Sequence, residues 1–198
     1  YKGHVLIPKL LKRGHKVIVL DTIWFGNFLA RNDNLKVVQE DIRNCGDQIF
    51  KDVEVVIHLA SVANDPCSEL NPKLTWEINA LATMNLAELA SRNGIRQFIY
   101  ASSGSVYGIN NAPKITEDIP LNPISDYNKT KMISERILLS YQNRFNLQIL
   151  RPATVCGYSD RMRFDVAVNM LTMQALKNGT ITVLGGNQLR PNVHIEDI

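Results

Sequence analysis

Cysteines are few in this sequence, and their pattern narrows the classes of protein it can belong to. The 198 residues include 3 cysteines, Cys45, Cys67 and Cys156, which is an odd number at wide spacing. Such a pattern forms neither a disulfide framework nor a metal-binding motif, and it favours a reduced, cytoplasmic protein. The four histidines are also scattered along the chain, so we expect no metal site.

The sequence also has little excess charge and no long apolar run. The formal net charge is +3 and no lysine- or arginine-rich stretch is present, so we expect no nucleic-acid partner. The apolar runs are far shorter than the roughly 20 residues of a membrane-spanning helix, so we expect no contact with a membrane. Because 45% of the residues are hydrophobic, the chain has the composition of a globular core.

Strand and helix patterns alternate along the chain. Five apolar, β-branched runs predict buried strands, at His15–Asp21, Leu35–Asp41, Val53–Ser61, Gln97–Ala101 and Leu147–Leu150. Helical patterns separate most of them, and one more short strand is predicted at Thr180–Leu184. This alternation predicts an α/β fold built on a doubly wound parallel sheet of the dinucleotide-binding, Rossmann-like kind.

Two stretches carry residues suited to proton transfer. Ser103 follows the predicted strand at 97–101, which places it at the carboxyl end of a parallel strand, where ligands bind. Tyr127 and Lys131 are four residues apart on a predicted helix and share one face. An ammonium group lowers the pKa of a nearby phenol, which can then take a proton from an alcohol. The same spacing also occurs on many ordinary amphipathic helices.

The order of these motifs carries a resemblance to a known family. A strand that ends in Ser102 and Ser103, then a loop, then the helix with residues 127–131, resembles the extended short-chain dehydrogenase/reductase family. Within that family the chain is most similar to the NAD-dependent nucleotide-sugar epimerases and dehydratases, above all the 4-epimerases of UDP-hexoses. The resemblance covers residues 3–197. It implies that Ser103, Tyr127 and Lys131 form a catalytic triad and that NAD is the cofactor.

The resemblance also implies a set of cofactor-binding residues. Gly3 matches the last glycine of the phosphate-binding fingerprint, whose earlier glycines and preceding strand are absent from the sequence. Asp21 has the position of the acid that binds the adenosine ribose, although a helix cap or loop acid is an alternative. Asp41 also fits the N-cap of a short helix, and Asn79 also fits an exposed or locally bonded helix position. The complete implied set is Gly3, Asp21, Asp41, Ile42, Leu59, Ala60, Ser61, Asn79, Tyr127, Lys131 and Val155.

For the substrate, the resemblance implies a nucleotide sugar held by Ser103, Ser105, Asn169 and Arg190. The planar guanidinium of Arg190 suits the diphosphate. The implied reaction is epimerisation at C4 through transient oxidation to a keto-sugar. Dehydratases of the family carry an Asp-Glu pair directly after the catalytic hydroxyl residue, where this sequence has Gly104 and Ser105, so we expect no dehydratase activity. Two alternatives remain: a nucleotide-sugar dehydrogenase or reductase with net redox change, and a non-catalytic nucleotide-binding module.

The predicted domain organisation follows from the same comparison of motifs. Residues 1–157 are expected to form the NAD-binding domain without its first strand. Residues 158–198 are expected to begin a smaller, incomplete and interleaved lobe that binds the sugar nucleotide. We expect a homodimer in the cytoplasm.

Overall fold

The computed structural model describes residues 1–110, 112 and 114–198. The helices are α1 (Lys2–Lys12), α2 (Asp65–Leu70), α3 (Pro72–Trp76), α4 (Ala82–Arg92), α5 (Asp126–Leu139) and α6 (Ala167–Asn178). The strands are β1 (Val17–Asp21), β2 (Leu35–Gln39), β3 (Val55–His58), β4 (Gln97–Ala101), β5 (Asn146–Leu150), β6 (Thr154–Cys156) and β7 (Asn192–His194). Short 3₁₀ helices span Ile42–Asn44, Asp47–Ile49 and Gly104–Tyr107, and a π-helical turn spans Glu77–Leu81.

Parallel strand pairings are combined with helices, and the predicted α/β architecture is confirmed. Strands β3, β4 and β5 make one parallel sheet with β4 in the middle, where Phe98 lies opposite Val56 and Leu147. Strand β1 pairs with β2, and β6 runs parallel to β7. All five strands predicted between residues 15 and 150 are present: β1, β2 and β3 are shorter than the patterns suggested, β4 has the predicted bounds, and β5 is one residue longer at its start.

The predicted strand at Thr180–Leu184 is wrong. These residues are exposed and carry no strand, because no neighbouring backbone pairs with them. Strand β6 instead takes its partner from β7, at Asn192–His194. Apolar β-branched residues at 181 and 183 gave the misleading pattern, since propensity alone does not provide a ladder of hydrogen bonds.

The chain folds into two compact units. One comprises Tyr1–Val19, Ile23–Val38 and Pro152–Ile198, and the other comprises Leu20–Thr22 and Gln39–Arg151. The second unit contains the β3–β4–β5 sheet and the helices from α2 to α5. Its core is built around Phe98 and Tyr100 of β4, which are almost fully buried together with Ala87 and Ala90 of α4 and Leu138 of α5. The small alanines let α4 approach the sheet closely.

The helices of the second unit begin and end at residues suited to these positions. Asn71 caps α3, since its Oδ1 accepts the N–H of Leu74 at 3.0 Å, and Pro72 takes the first helical position. The helix continues through the π-helical turn into α4, which ends before Gly94 at a φ of 67°. Helix α5 is capped by Ser125, whose Oγ accepts the N–H of Asn128 at 3.2 Å.

Gly108 provides a test of how tightly the segment after β4 is packed. A Cβ at Gly108 would lie 2.0 Å from the carbonyl oxygen of Asn122, whereas a Cβ at Gly94 would meet nothing within 4 Å. Both glycines have a left-handed φ, 65° and 67°. We expect Gly94→Ala to lower the free energy of unfolding by about 1–2 kcal/mol through backbone strain alone. Gly108→Ala should lower it by about 1–3 kcal/mol more, because the clash is with backbone.

Denaturant unfolding of the two variants beside the wild type measures the difference. Equal losses for Gly94→Ala and Gly108→Ala would mean that the segments at residues 108 and 122 are not in close contact.

Candidate active site

Ser103 is held at the carboxyl end of the central strand β4. The preceding residue, Ser102, donates its backbone N–H to the carbonyl of Leu150 at 2.8 Å, which extends the pairing with β5 beyond β4. Ser103 then caps the 3₁₀ helix at Gly104–Tyr107, because its Oγ accepts the N–H of Ser105 at 3.2 Å. The predicted catalytic serine therefore has a backbone fixed on both sides.

Tyr127 lies in the first turn of α5, and Lys131 lies one turn further along. The Lys131 side chain is only 3% exposed, and its Nζ donates to the carbonyl oxygen of Ala101 at 2.9 Å. The same Nζ lies 5.9 Å from the ring centroid of Tyr127. Since Ala101 is the last residue of β4, the structure brings Lys131 and the Ser103 segment to the same strand end, with Tyr127 beside Lys131.

The Ser103 segment is also bonded directly to α5. Ser105 Oγ donates to Oδ1 of Asn128 at 2.5 Å and lies 2.7 Å from Ser103 Oγ. Asn128 follows Tyr127 in the chain, so this contact ties the serine segment to the residue next to the tyrosine. No sequence pattern pointed to Asn128, because its role depends on a contact with a residue 23 positions away.

His58 lies near Lys131 and is kept neutral by its surroundings. The Nζ lies 4.9 Å above the ring of Tyr100, a favourable cation–π distance. His58, at the end of β3, is buried, and its Nε2 is 2.8 Å from Thr83 Oγ1. Burial, with the positive charge of Lys131 as a second cause, lowers the pKa of His58 to about 3. The imidazole is therefore uncharged at neutral pH.

Asn79 lies in the π-helical turn and is almost fully buried. Its Oδ1 accepts the Val62 N–H at 2.8 Å and the Ser61 hydroxyl at 3.0 Å, while its Nδ2 donates to Val62 O at 3.0 Å and Thr130 Oγ1 at 3.1 Å. The amide thus holds the segment after β3 against α5. Its predicted cofactor contact stays a prediction, as do those of the neighbouring Leu59, Ala60 and Ser61.

An ion pair between Glu135 of α5 and Arg151, which follows β5, lies next to Ser102, and the sequence did not predict it. Glu135, 2% exposed, receives Arg151 in a forked pair, with Nε–Oε1 at 3.0 Å and Nη2–Oε2 at 2.7 Å. The Ser102 hydroxyl donates to the same carboxylate. Arg151 also donates to Tyr107 Oη at 2.9 Å and to Glu117 O at 3.3 Å. The four-residue spacing places Glu135 on the same face of α5 as Lys131, but it does not identify Arg151 as the partner.

Three residues are predicted near the adenosine, and they differ in exposure and in hydrogen bonding. Asp21 is exposed at the end of β1. Asp41 caps the 3₁₀ helix that follows it, and side-chain hydrogen bonds from Arg43 hold the pKa of its carboxyl below the usual value. The side chain of Ile42 belongs to the hydrophobic core, so only its backbone can contact a nucleotide without repacking.

In the first unit, Gly3 lies in the opening turn of α1. That turn carries no acidic residue, and burial, with the charge of Arg163 as a second cause, lowers the pKa of Lys2 to about 8. Helix N-terminal N–H groups beside cationic side chains suit an anionic group such as a pyrophosphate.

Three other predicted residues belong to this first unit. Asn169 is buried, and its amide is used to hold the turn after β6, because Oδ1 accepts the Gly157 N–H at 2.9 Å and Nδ2 donates to Arg163 O at 2.9 Å. Val155 is buried in β6, and Arg190 is exposed. Their cofactor and substrate contacts stay predictions.

The sequence profile of the NAD dependent epimerase/dehydratase family matches residues 1–198, the whole chain. A protein of Methanocaldococcus jannaschii, provisionally named UDP-glucose 4-epimerase, is 34% identical over 204 residues, covering 99% of this chain and 67% of that protein. The chain belongs to the NAD-dependent epimerase/dehydratase family. The predicted family is confirmed, and the NAD prediction is confirmed at the level of the family.

Solved structures show the Rossmann-like fold of this family and the breadth of its chemistry. A UDP-glucose 4-epimerase of Thermotoga maritima, solved with UDP-glucose, has a TM-score of 0.87 and 25% identity over 100% of this chain and 67% of its own. An NAD-dependent NDP-hexosamine 5,6-dehydratase of tunicamycin biosynthesis has a TM-score of 0.90 and 25% identity, over 100% and 65%. The chain thus spans about two thirds of the length of these relatives.

Within the described residues, no helix is both long and apolar enough to span a bilayer.

The Glu135–Arg151 pair should dominate the stability of the site. We expect Glu135→Gln to lower the free energy of unfolding by about 3 kcal/mol, because the partly buried guanidinium of Arg151 loses its counter-charge. The exposed Asp47–Arg92 pair, with an N–O distance of 2.6 Å, is the matched control. Asp47→Asn should change stability little, since water screens that pair. Denaturant unfolding compares the two, and similar small losses would contradict the burial of Glu135.

The neutral state of His58 makes folding sensitive to acid. Its folded pKa of about 3 lies below the unfolded value of 6.5, so between these values the unfolded chain binds the additional proton. Stability should therefore fall as the pH drops below about 6.5, with a slope approaching 1.4 kcal/mol per pH unit for this group.

His58→Gln should flatten this dependence, and His15→Gln, at an exposed histidine, should leave it as in the wild type. Unfolding free energies at pH 7, 6 and 5 test the expectation. An unchanged slope in His58→Gln would show that the folded protein protonates His58 readily.

Proposed function

We propose that this protein is an NAD-dependent nucleotide-sugar 4-epimerase that acts on a UDP-hexose. The observation that carries the proposal is the buried Lys131 ammonium, bonded to the carbonyl of Ala101 and 5.9 Å from the ring of Tyr127, at the strand end that also bears Ser103. The names of the Methanocaldococcus jannaschii and Thermotoga maritima relatives support C4 as the reacting centre and UDP as the nucleotide.

In the proposed mechanism each member of the triad has one task. Tyr127 takes the proton from the C4 hydroxyl as general base. Lys131 favours the phenolate form of Tyr127, because a positive charge in a poorly solvated site acts strongly on a neighbouring group. The hydroxyl of Ser103 forms a hydrogen bond with the C4 oxygen. The fixed backbone after β4 keeps this hydroxyl in place.

The family's cofactor, NAD, would supply the redox half of this chemistry, as a reversible acceptor for the hydride of the sugar carbon. Asp21 is the residue proposed for the adenosine ribose, where an exposed carboxylate can accept hydrogen bonds from the 2′-hydroxyl and disfavours a 2′-phosphate. Lys131 is proposed for the nicotinamide ribose, and Gly3 for the pyrophosphate. Arg190 is proposed for the diphosphate of the substrate.

Elimination of water is disfavoured by the residues after Ser103. It requires an acid and a base near C5 and C6, whereas Gly104 has no side chain and the Ser105 hydroxyl is already bonded to Asn128. This argument separates the proposal from the dehydratase activity named for the tunicamycin relative. The domain boundary at residue 157, the homodimer and the cytoplasmic location stay predictions.

Tyr127→Phe tests the proposal directly. We expect the kcat for conversion of UDP-glucose to UDP-galactose to fall about 10²-fold or more with little change in substrate or NAD binding, because only the proton-transfer group is lost. Products are identified by NMR and mass spectrometry. The matched control is Tyr141→Phe, which removes a hydroxyl bonded to Glu88 outside the site and should retain full activity.

The same assay separates the competing activities. A product lighter by one water would mean a dehydratase, and net formation of NADH would mean a dehydrogenase. Turnover of Tyr127→Phe within a few-fold of the wild type would exclude Tyr127 as the base.

A further inference from the structure

The three side chains Ser103, Ser105 and Asn128 form a hydrogen-bonded chain that ends at the predicted catalytic hydroxyl. Ser105 Oγ is 2.7 Å from Ser103 Oγ and donates to Asn128 Oδ1 at 2.5 Å. Asn128 is buried, and its backbone N–H is fixed by the Ser125 cap. We refer to these three residues as the hydroxyl chain.

The direction of the hydrogen bonds in the hydroxyl chain is decided at Asn128. A serine hydroxyl has one proton, and an amide oxygen only accepts. When Ser105 donates to Asn128 Oδ1, the bond between the two serines must use the proton of Ser103. Ser103 then offers only lone pairs to a bound molecule, which suits a substrate hydroxyl that donates.

The opposite direction suits the other form of the substrate. If Asn128 turns its Nδ2 toward Ser105, Ser105 accepts from the amide and donates to Ser103. The Ser103 proton is then available to a carbonyl oxygen. The amide of asparagine carries an acceptor and a donor at one end, so a half-turn of the amide reverses the hydrogen bond to Ser105 without a change in charge.

We propose that Asn128 is a positioning residue that sets the polarity of the hydroxyl chain, so that Ser103 can accept from an alcohol and donate to a ketone. The inference rests on the proposed function, because an epimerase must bind both forms at one site. Asn128 does not touch the substrate in this account, and it acts through Ser105 on Ser103.

Asn128→Asp separates this role from simple packing, because it keeps the size but presents a carboxylate that only accepts. We expect the kcat for UDP-glucose epimerisation at pH 8 to fall about 10-fold, with KM nearly unchanged, since one hydrogen bond to the ketone is lost. A protonated carboxyl can donate, so the kcat of Asn128→Asp relative to the wild type should rise as the pH is lowered. A residue that only packs would give no such pH profile.

The pairing with Ser105 provides the second measurement. In a Ser105→Ala background the hydroxyl chain is broken, so Asn128→Asp should cause little further loss of kcat. Asn146→Asp, at an exposed position in β5, is the matched control and should leave kcat unchanged. Wild-type kcat in Asn128→Asp at every pH, or independent losses in Asn128→Asp and Ser105→Ala, would overturn the inference.

A double-mutant cycle in unfolding distinguishes failure of the inference from failure of the proposed function. The midpoint of denaturant unfolding should show coupling between Ser105→Ala and Asn128→Asp whatever reaction the protein catalyses. Absence of coupling overturns the inference even if the wild type is an epimerase. If the wild type does not epimerise UDP-glucose, the proposed function fails, and a pH-independent coupling would then overturn the polarity role as well.

Discussion

The ion pair between Glu135 and Arg151 is the interaction on which the arrangement of the second unit depends. It joins the end of β5 to the middle of α5, and the Ser102 hydroxyl adds the end of β4 to the same carboxylate. A buried pair is favourable only if its remaining polar atoms are also bonded. Here the guanidinium reaches Tyr107 and the carbonyl of Glu117 as well. The charge that holds the sheet to the helix therefore also holds the segment after Ser103.

Adjacent serines at the end of β4 belong to two different polar systems. Successive residues of an extended strand point to opposite sides, so Ser102 faces Glu135 while Ser103 faces Ser105. One system is ionic and structural, and the other consists of neutral hydroxyl and amide groups. On α5, Lys131 lies between Asn128 of the neutral system and Glu135 of the ionic one, and its Nζ donates to the carbonyl of Ala101.

The sequence predicted the parts of the site that depend on local periodicity. A buried strand that ends before Ser103 and the four-residue spacing of Tyr127 and Lys131 suggested these positions, and the resemblance to the family implied their roles, which stay predictions. The pairing of Glu135 with Arg151 was missed, since two residues 16 positions apart on different elements leave no joint pattern. The four hydrogen bonds of the Asn79 amide join distant parts of the chain and were not predicted either, and its cofactor contact stays a prediction. At residues 180–184 the composition of a strand was present without a partner.

The π-helical turn at Glu77–Leu81 bears on how this protein tolerates changes in length. In such a turn each N–H bonds five residues back instead of four, so the turn contains one residue more than an α-helix needs. Removal of that residue would leave a regular helix whose flanks, α3 and α4, keep their faces. It would nevertheless move the carbonyl of Asn79 away from Thr83 and Ser134, which now both donate to it. The helix alone can lose a residue here, and the contacts of Asn79 with the segment after β3 and with α5 oppose that deletion.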